Sequence, residues 1–123
     1  MTSNSAPQPR ILIVEDEPLI ASVFSDAILD AGYAVAGVAS KVADALAIIE
    51  AGACDGAVLD PTLFGVSSAP IADALAARGI RYLVISGFTQ EQLPDTFRGA
   101  PYLRKPVRLP QLFEAMDTLF PKK

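Results

Sequence analysis

Five short apolar runs, nearly all separated by stretches of helical periodicity, constrain this chain more than any other feature. Ile11-Leu12-Ile13-Val14 is continuous, apolar and rich in β-branched residues. Such a run suits a strand buried on both faces, as in a parallel sheet. Pro18 stands where a first helical turn accepts proline. Leu19, Ile20, Val23, Phe24, Ala27, Ile28 and Ala31 then recur at helical spacing, and Gly32 can end the helix. Residues 33–38 read as a second strand. Ser40 is the candidate cap of a helix reaching Glu50, with Val42, Leu46 and Ile49 inward. Residues 56–60 read as a third strand. Ser67 or Ser68 starts a helix reaching Arg78, with Pro70 near its first turn and Gly79 as its stop. Residues 81–85 and 101–104 read as the fourth and fifth strands. Leu109, Leu112, Phe113, Met116, Leu119 and Phe120 line one face of a last helix and are read as core packing.

One connection breaks the rhythm. Between the fourth and fifth strands a full helix is due, yet the sequence gives Thr89-Gln90-Glu91-Gln92, a capping box, and then Pro94. The fourth helix is expected to be one turn long or irregular, with residues 88–99 the most mobile ordered segment. The whole pattern predicts a doubly wound α/β fold with a five-stranded parallel sheet of order 2-1-3-4-5. Ligands of such sheets bind beyond the carboxyl ends of the strands, at the point where the strand order reverses. Polar residues at those ends therefore carry the most weight.

Size and composition set the remaining bounds. A chain of 123 residues suggests one domain, expected over 10–120, with residues 1–9 a mobile tail and no output domain after it. No apolar run approaches the ~20 residues of a membrane span, and the first residues lack the pattern of a secretory signal. The single Cys54 forms no internal disulfide and fits a reduced, cytoplasmic setting. A net charge of −4 with no basic stripe argues against nucleic acid. There is no histidine, which removes histidine triads, histidine metal ligands and a phosphohistidine on this chain.

The first strand runs into Glu15-Asp16-Glu17, the third ends at Asp60, the fourth at Ser86-Gly87, and the fifth is followed by Lys105-Pro106. The topology brings all four groups to one edge. Two carboxylates ~4 Å apart repel by roughly 4 kcal/mol at an effective dielectric near 20. One lysine does not balance Glu15, Asp16 and Asp60, so a divalent cation is expected. With only hard oxygen ligands available, Mg²⁺ or Mn²⁺ is favoured. A carboxylate beside such an ion and a lysine can attack phosphorus and become an aspartyl phosphate. Ser86 could then bond a phosphoryl oxygen. Taken singly, each residue has an ordinary reading: an acidic helix start, a surface lysine, a turn serine, an aspartate cap. Their joint occurrence at strand ends is the evidence.

These segments resemble the receiver domain of two-component response regulators, a flavodoxin-like fold, over residues 10–120. The resemblance rests on ILIVEDEP with Glu15 and Asp16, AVLDPTLFG with Asp60, LVISG with Ser86, and YLRKP with Lys105. It implies that Asp60 is the phosphoacceptor, served by the phosphohistidine of a sensor histidine kinase. It implies a Mg²⁺ site of Asp16, Asp60 and the Thr62 backbone carbonyl, with Glu15 acting through water. The backbone of Thr62 and Gly87 would bind the phosphoryl group, and Ser86 and Tyr102 would form the switch. Val84-Ile85-Ser86-Gly87-Phe88 is similar to the phenylalanine-alanine-threonine-glycine-tyrosine motif of a stand-alone subgroup with a weak fourth helix. That subgroup implies kinases of a distinct class and stress or adaptive signalling. Ser86 replaces the commoner threonine, Pro61 replaces an aliphatic residue, and Phe64 precedes Gly65 where proline often lies; these departures bear on phosphoryl lifetime. Output is expected through an unidentified downstream protein or by draining phosphate from a kinase, from a monomer or weak dimer without a membrane partner. Two other readings stand beside it. One is a receiver that binds partners without phosphorylation. The other is a haloacid-dehalogenase-like phosphatase, which Asp60-Pro61-Thr62 resembles; that family has a second aspartate where Thr62 stands.

Overall fold

The apolar runs form the expected sheet. The structure, a computed structural model, describes residues 8–121. Of the tail expected over 1–9, residues 1–7 lie outside the described residues, and the Pro9 carbonyl accepts the Ala34 N–H at 3.0 Å. Strands β1 (Arg10–Val14), β2 (Ala34–Ala39), β3 (Gly56–Leu59), β4 (Arg81–Ser86) and β5 (Tyr102–Arg104) are all parallel. Their spatial order is β2-β1-β3-β4-β5. Helices α1 (Pro18–Asp30), α2 (Val42–Glu50) and α3 (Ala69–Ala77) fill the first three connections, and α4 (Leu109–Leu119) follows β5.

Side chains alternate across a strand, so a run buried on both sides feeds two cores. Leu12, Val14, Ala57, Leu59 and Val84 pack with Ala45 and Ile49 of α2 and with Ile71 and Leu75 of α3. Ile11, Ile13, Val58, Leu83 and Ile85 pack with Phe24 and Ile28 of α1 and with Leu112 and Met116 of α4. Gly56 has a packing reason: a methyl there would overlap the Phe120 ring. Gly56→Ala is therefore expected to lose about 1–3 kcal/mol, measured as a lower urea midpoint at unchanged slope.

Several local expectations need correction. Ser40 does not cap α2; Lys41 holds that position, with no side-chain cap bond. Ser68 does precede α3, but its hydroxyl donates to the Asp60 carbonyl rather than capping. The buried stripe of α1 is Ala21, Phe24, Ala27 and Ile28, so Leu19 and Val23 lie outside it and are exposed. In α2, Leu46 is only half-buried and Ala45 takes the inward place. Leu109 at the start of α4 is exposed as well.

The expected weak helix is two single 3₁₀ turns, Gln90–Gln92 and Asp95–Phe97. The first carries the predicted capping box, with the Thr89 N–H donating to Gln92 Oε1 at 2.8 Å. Pro94 separates the turns, and Leu93 and Phe97 are the segment's buried side chains.

Candidate functional site

Neighbouring strands deliver the acidic residues to one place. Val14 pairs with Leu59, so Glu15 and Asp60 leave β1 and β3 at the same level. The main chain fixes both exits. Asp60 N–H donates to Val14 O at 3.0 Å, and Glu15 N–H donates to Ala39 O at 3.0 Å. Lys105 follows β5 and is tied back by its own N–H to Ser86 O at 2.8 Å. Its ammonium reaches both carboxylates, Glu15 Oε1 at 2.9 Å and Asp60 Oδ2 at 2.8 Å.

Further donors complete the arrangement. Thr62 N–H donates to Asp60 Oδ1 at 2.9 Å, and Glu17 N–H donates to Glu15 Oε2 at 3.2 Å. Phe64 N–H donates to Asp16 Oδ2 at 2.8 Å. Carboxylate oxygens of Glu15, Asp16 and Asp60 lie within 4.8 Å of one another. At this spacing three negative charges face one ammonium. The set is all hard oxygen, which suits Mg²⁺ or Mn²⁺.

Burial and bonding move the charges in different directions. Burial pushes the Glu15 carboxyl above its ordinary value, against the pull of Lys105 and the Glu17 N–H. Burial also pushes at Asp16, but the Phe64 N–H and its other partners outweigh it and hold the carboxyl low. For Lys105, burial works against the charge, yet the bonds to Asp60 and Glu15 outweigh it and raise the ammonium.

The remaining predicted residues stand around this cluster. Ser86 is buried at the end of β4, and its hydroxyl accepts the Phe88 N–H at 3.0 Å. Beside Gly87 there is open space where a side chain would project. The Tyr102 hydroxyl donates to the Phe88 carbonyl, tying the aromatic ring to the same loop. Two features were missed in the sequence. Residues Thr62–Leu63 and Val66–Ser67 form a small antiparallel hairpin after Asp60, turning at Phe64-Gly65. Ser68, fully buried, donates to Asp60 O at 2.6 Å, while its N–H donates to Pro61 O at 2.8 Å. A serine before a helix signals a cap, so only the backbone geometry could reveal this second use.

A doubly wound sheet of this order, with carboxylates and a lysine gathered at its carboxyl edge, has the architecture of a signal receiver. SdrG from Sphingomonas melonis Fr1 superimposes with a TM-score of 0.81 at 38% identity, covering 93% of this chain and 98% of that one. The response regulator PhyR from Brucella abortus gives 0.80 at 25% identity, covering 94% of this chain and 49% of that one. The transcriptional regulatory protein TcrA of Mycobacterium tuberculosis is 30% identical over 115 residues. That match takes in 89% of this chain, which spans 45% of TcrA. No protein-family model matches the chain. The chain belongs to the receiver domains of response regulators. Among the described residues no helix is long and apolar enough to cross a membrane.

Proposed function

We propose that this receiver takes a phosphoryl group onto Asp60 from the phosphohistidine of a sensor kinase and signals through the changed protein. An Asp60 carboxylate oxygen attacks phosphorus, the P–N bond breaks, and the imidazole leaves with that electron pair and takes up a proton. The observation that carries this is the Lys105 ammonium, 2.8 Å from Asp60 and 2.9 Å from Glu15. It offsets charge on the nucleophile before the reaction and on the phosphoryl oxygens during it. Asp16, Asp60 and the Thr62 carbonyl, with Glu15 through water, would hold Mg²⁺ or Mn²⁺, which would supply further neutralisation of those oxygens. The Thr62 N–H, now on Asp60 Oδ1, and the Gly87 backbone are the neutral donors to the phosphoryl group. The existence of a BeF₃-activated conformation of SdrG, 37% identical to this chain, supports the same chemistry here.

The switch follows from the loop after β4. Ser86 holds the Phe88 N–H and Tyr102 holds the Phe88 carbonyl, so a Ser86 hydroxyl drawn to a phosphoryl oxygen loosens both. A downstream protein reads the change. Beyond its own phosphorylation and dephosphorylation the domain turns over no substrate. The buried free thiol of Cys54 fits work in the cytoplasm.

An apolar groove of about 480 Å³ beside Lys105, lined by Leu19, Val23, Pro106 and Val107, suits the approach of the kinase. Leu19 is 78% exposed there.

Intact-mass measurement after incubation with acetyl phosphate and Mg²⁺ tests the reading. One phosphoryl increment is expected, and none in Asp60→Asn. With a phosphohistidine protein as donor, Leu19→Glu is expected to slow transfer about tenfold, in the range of a docking hot spot, while leaving the acetyl phosphate reaction intact. No increment in the parent would favour a receiver that binds without phosphate. Sustained release of inorganic phosphate from small phosphate esters would favour a phosphatase.

A further inference from the structure

We propose that Phe64 is a positioning residue for the cation site, acting through its backbone N–H, and that the Phe64-Gly65 turn aims this N–H at Asp16. The inference rests on the reading of Glu15, Asp16 and Asp60 as cation ligands. Lys105 orients Glu15 and Asp60. The bond that reaches Asp16 from outside its own loop comes from Phe64, at 2.8 Å. A carboxylate that accepts one N–H keeps its remaining lone pairs for an ion. Outer groups that fix a ligand in this way strongly affect metal affinity.

The turn itself points to a purpose. Phe64 and Gly65 have φ of 50° and 78°, the two positive values that a tight two-residue hairpin turn requires. Asparagine or glycine would suit the first position; phenylalanine does not. Its ring is exposed, so core packing does not explain the conformation. Strain of this kind persists where the surroundings over-determine it. Here they do. Thr62 pairs with Ser67 and Leu63 with Val66, Leu63 is buried, and Ser68 fastens the hairpin's base to the Asp60 carbonyl. The hairpin is thus a strut, with its base on one proposed ligand and its tip on another.

Gly65 allows a clean test, because a side chain there would meet nothing within 4 Å. Substitutions at Gly65 therefore differ in their tolerance of positive φ rather than in packing. Mn²⁺ binding to the full chain is measured by electron paramagnetic resonance. Gly65→Val, which cannot hold the turn, is expected to bind Mn²⁺ about tenfold more weakly. Gly65→Asn, which tolerates left-handed backbone, is expected to match the parent. A purely structural turn would lower the melting temperature of the valine variant and leave Mn²⁺ affinity unchanged, and that result overturns the proposal. If the valine variant does not fold, amide exchange in the parent decides. A bond that favours the cation must be favoured by it to the same degree. Mg²⁺ should therefore slow exchange of the Phe64 amide; unchanged protection in the Mg²⁺-bound parent overturns the proposal. A parent that binds no Mn²⁺ overturns this inference together with the cation-site reading. A parent that binds it, with the valine variant its equal, overturns this inference alone.

Discussion

Lys105→Met will destabilise the fold by roughly 3 kcal/mol in the absence of divalent ions, a fall in melting temperature on the order of 10 °C. Glu15 is 2% exposed, and the side chains of Asp60 and Lys105 are 13% and 22% exposed. Methionine keeps most of the volume and the apolar stem, so the loss reports charge rather than a cavity. It leaves Glu15 buried without its ammonium, beside Asp60 and Asp16. The lower end of the range for a broken buried pair is used because Lys105 is partly solvated.

The pH dependence separates this account from simple misfit. The Glu15 carboxyl is already raised by burial, so the fold favours its protonated form. The cost of removing Lys105 should be greatest near neutral pH and shrink as Glu15 takes up its proton toward the ordinary carboxyl range near 4.5. At the alkaline end the sign also follows. Lys105 is raised in the fold, so its contribution is whole below the ordinary value of 10.5 and is lost as pH rises through the raised one. The difference between parent and variant should therefore close at both extremes. Mg²⁺ should stabilise the variant more than the parent, since the ion meets a more negative site. It should not restore the proposed phosphorylation, which is expected to slow by about a hundredfold if Lys105 is the donor to the phosphoryl oxygens proposed above. A loss under about 1 kcal/mol with no pH dependence would mean that the pair behaves as an exposed one.

The parts of this protein that could be read in the sequence share one property: a side-chain type at a position fixed by topology. Val14 and Leu59 are the last apolar residues of adjacent parallel strands, so Glu15 and Asp60 had to meet. Lys105 joins them because β5 lies in the same sheet and the fold aligns the carboxyl ends. The failed fourth helix was legible because Pro94 cannot donate within a helix, and the capping box at Thr89 marked where the attempt begins. What could not be read depends on the main chain. The hairpin after Asp60 has strands of two residues each, too short for any periodicity to register. Phenylalanine at its first turn position hid it further, because asparagine or aspartate before glycine is the usual signal. The Phe64 N–H has no sequence signature at all. Leu19 and Val23 fit the helical spacing of α1 as well as Phe24 does, and only the face that the helix turns to the sheet, with Ala21, Phe24, Ala27 and Ile28 buried, puts them outside.

Pro61 also finds a local reason. It is buried, and its carbonyl accepts the Ser68 N–H while Ser68 Oγ holds the Asp60 carbonyl. One serine thus closes the base of the hairpin by binding the carbonyls of two successive peptides, Asp60–Pro61 and Pro61–Thr62. The fixed φ of proline and its restriction of the preceding residue stiffen the place where the chain leaves β3. The missing N–H falls at a position where the neighbouring Thr62 N–H already serves the Asp60 carboxylate.

Phe97→Ala is expected to cost about 3–4 kcal/mol and to release the segment between β4 and β5. That segment is built from two separate 3₁₀ turns, which supply little stability of their own. Its hold on the domain is side-chain burial. Phe97 is 2% exposed and packs with Leu93 in the core shared with α3, and the surrounding Gln90, Glu91, Gln92, Asp95 and Thr96 include none of the buried side chains. The Arg98–Asp95 ion pair is exposed and adds little. Removing one of two anchors should therefore affect local opening more than the sheet. Amide exchange across 88–99, expected to be the fastest among the ordered segments of the parent, should accelerate further in the variant. Exchange in β1 and β3 should change only by the global loss. The loop carries Phe88, to which both Ser86 and Tyr102 are tied, so a freed segment should also weaken the proposed coupling between phosphorylation and Tyr102. Fluorescence of the tyrosines on addition of beryllofluoride reads that coupling, and the response should fall in Phe97→Ala. Core-like slow exchange over 88–99 in the parent, or a variant that loses protection equally in every strand and in this segment, would show that the two turns unfold only with the whole domain.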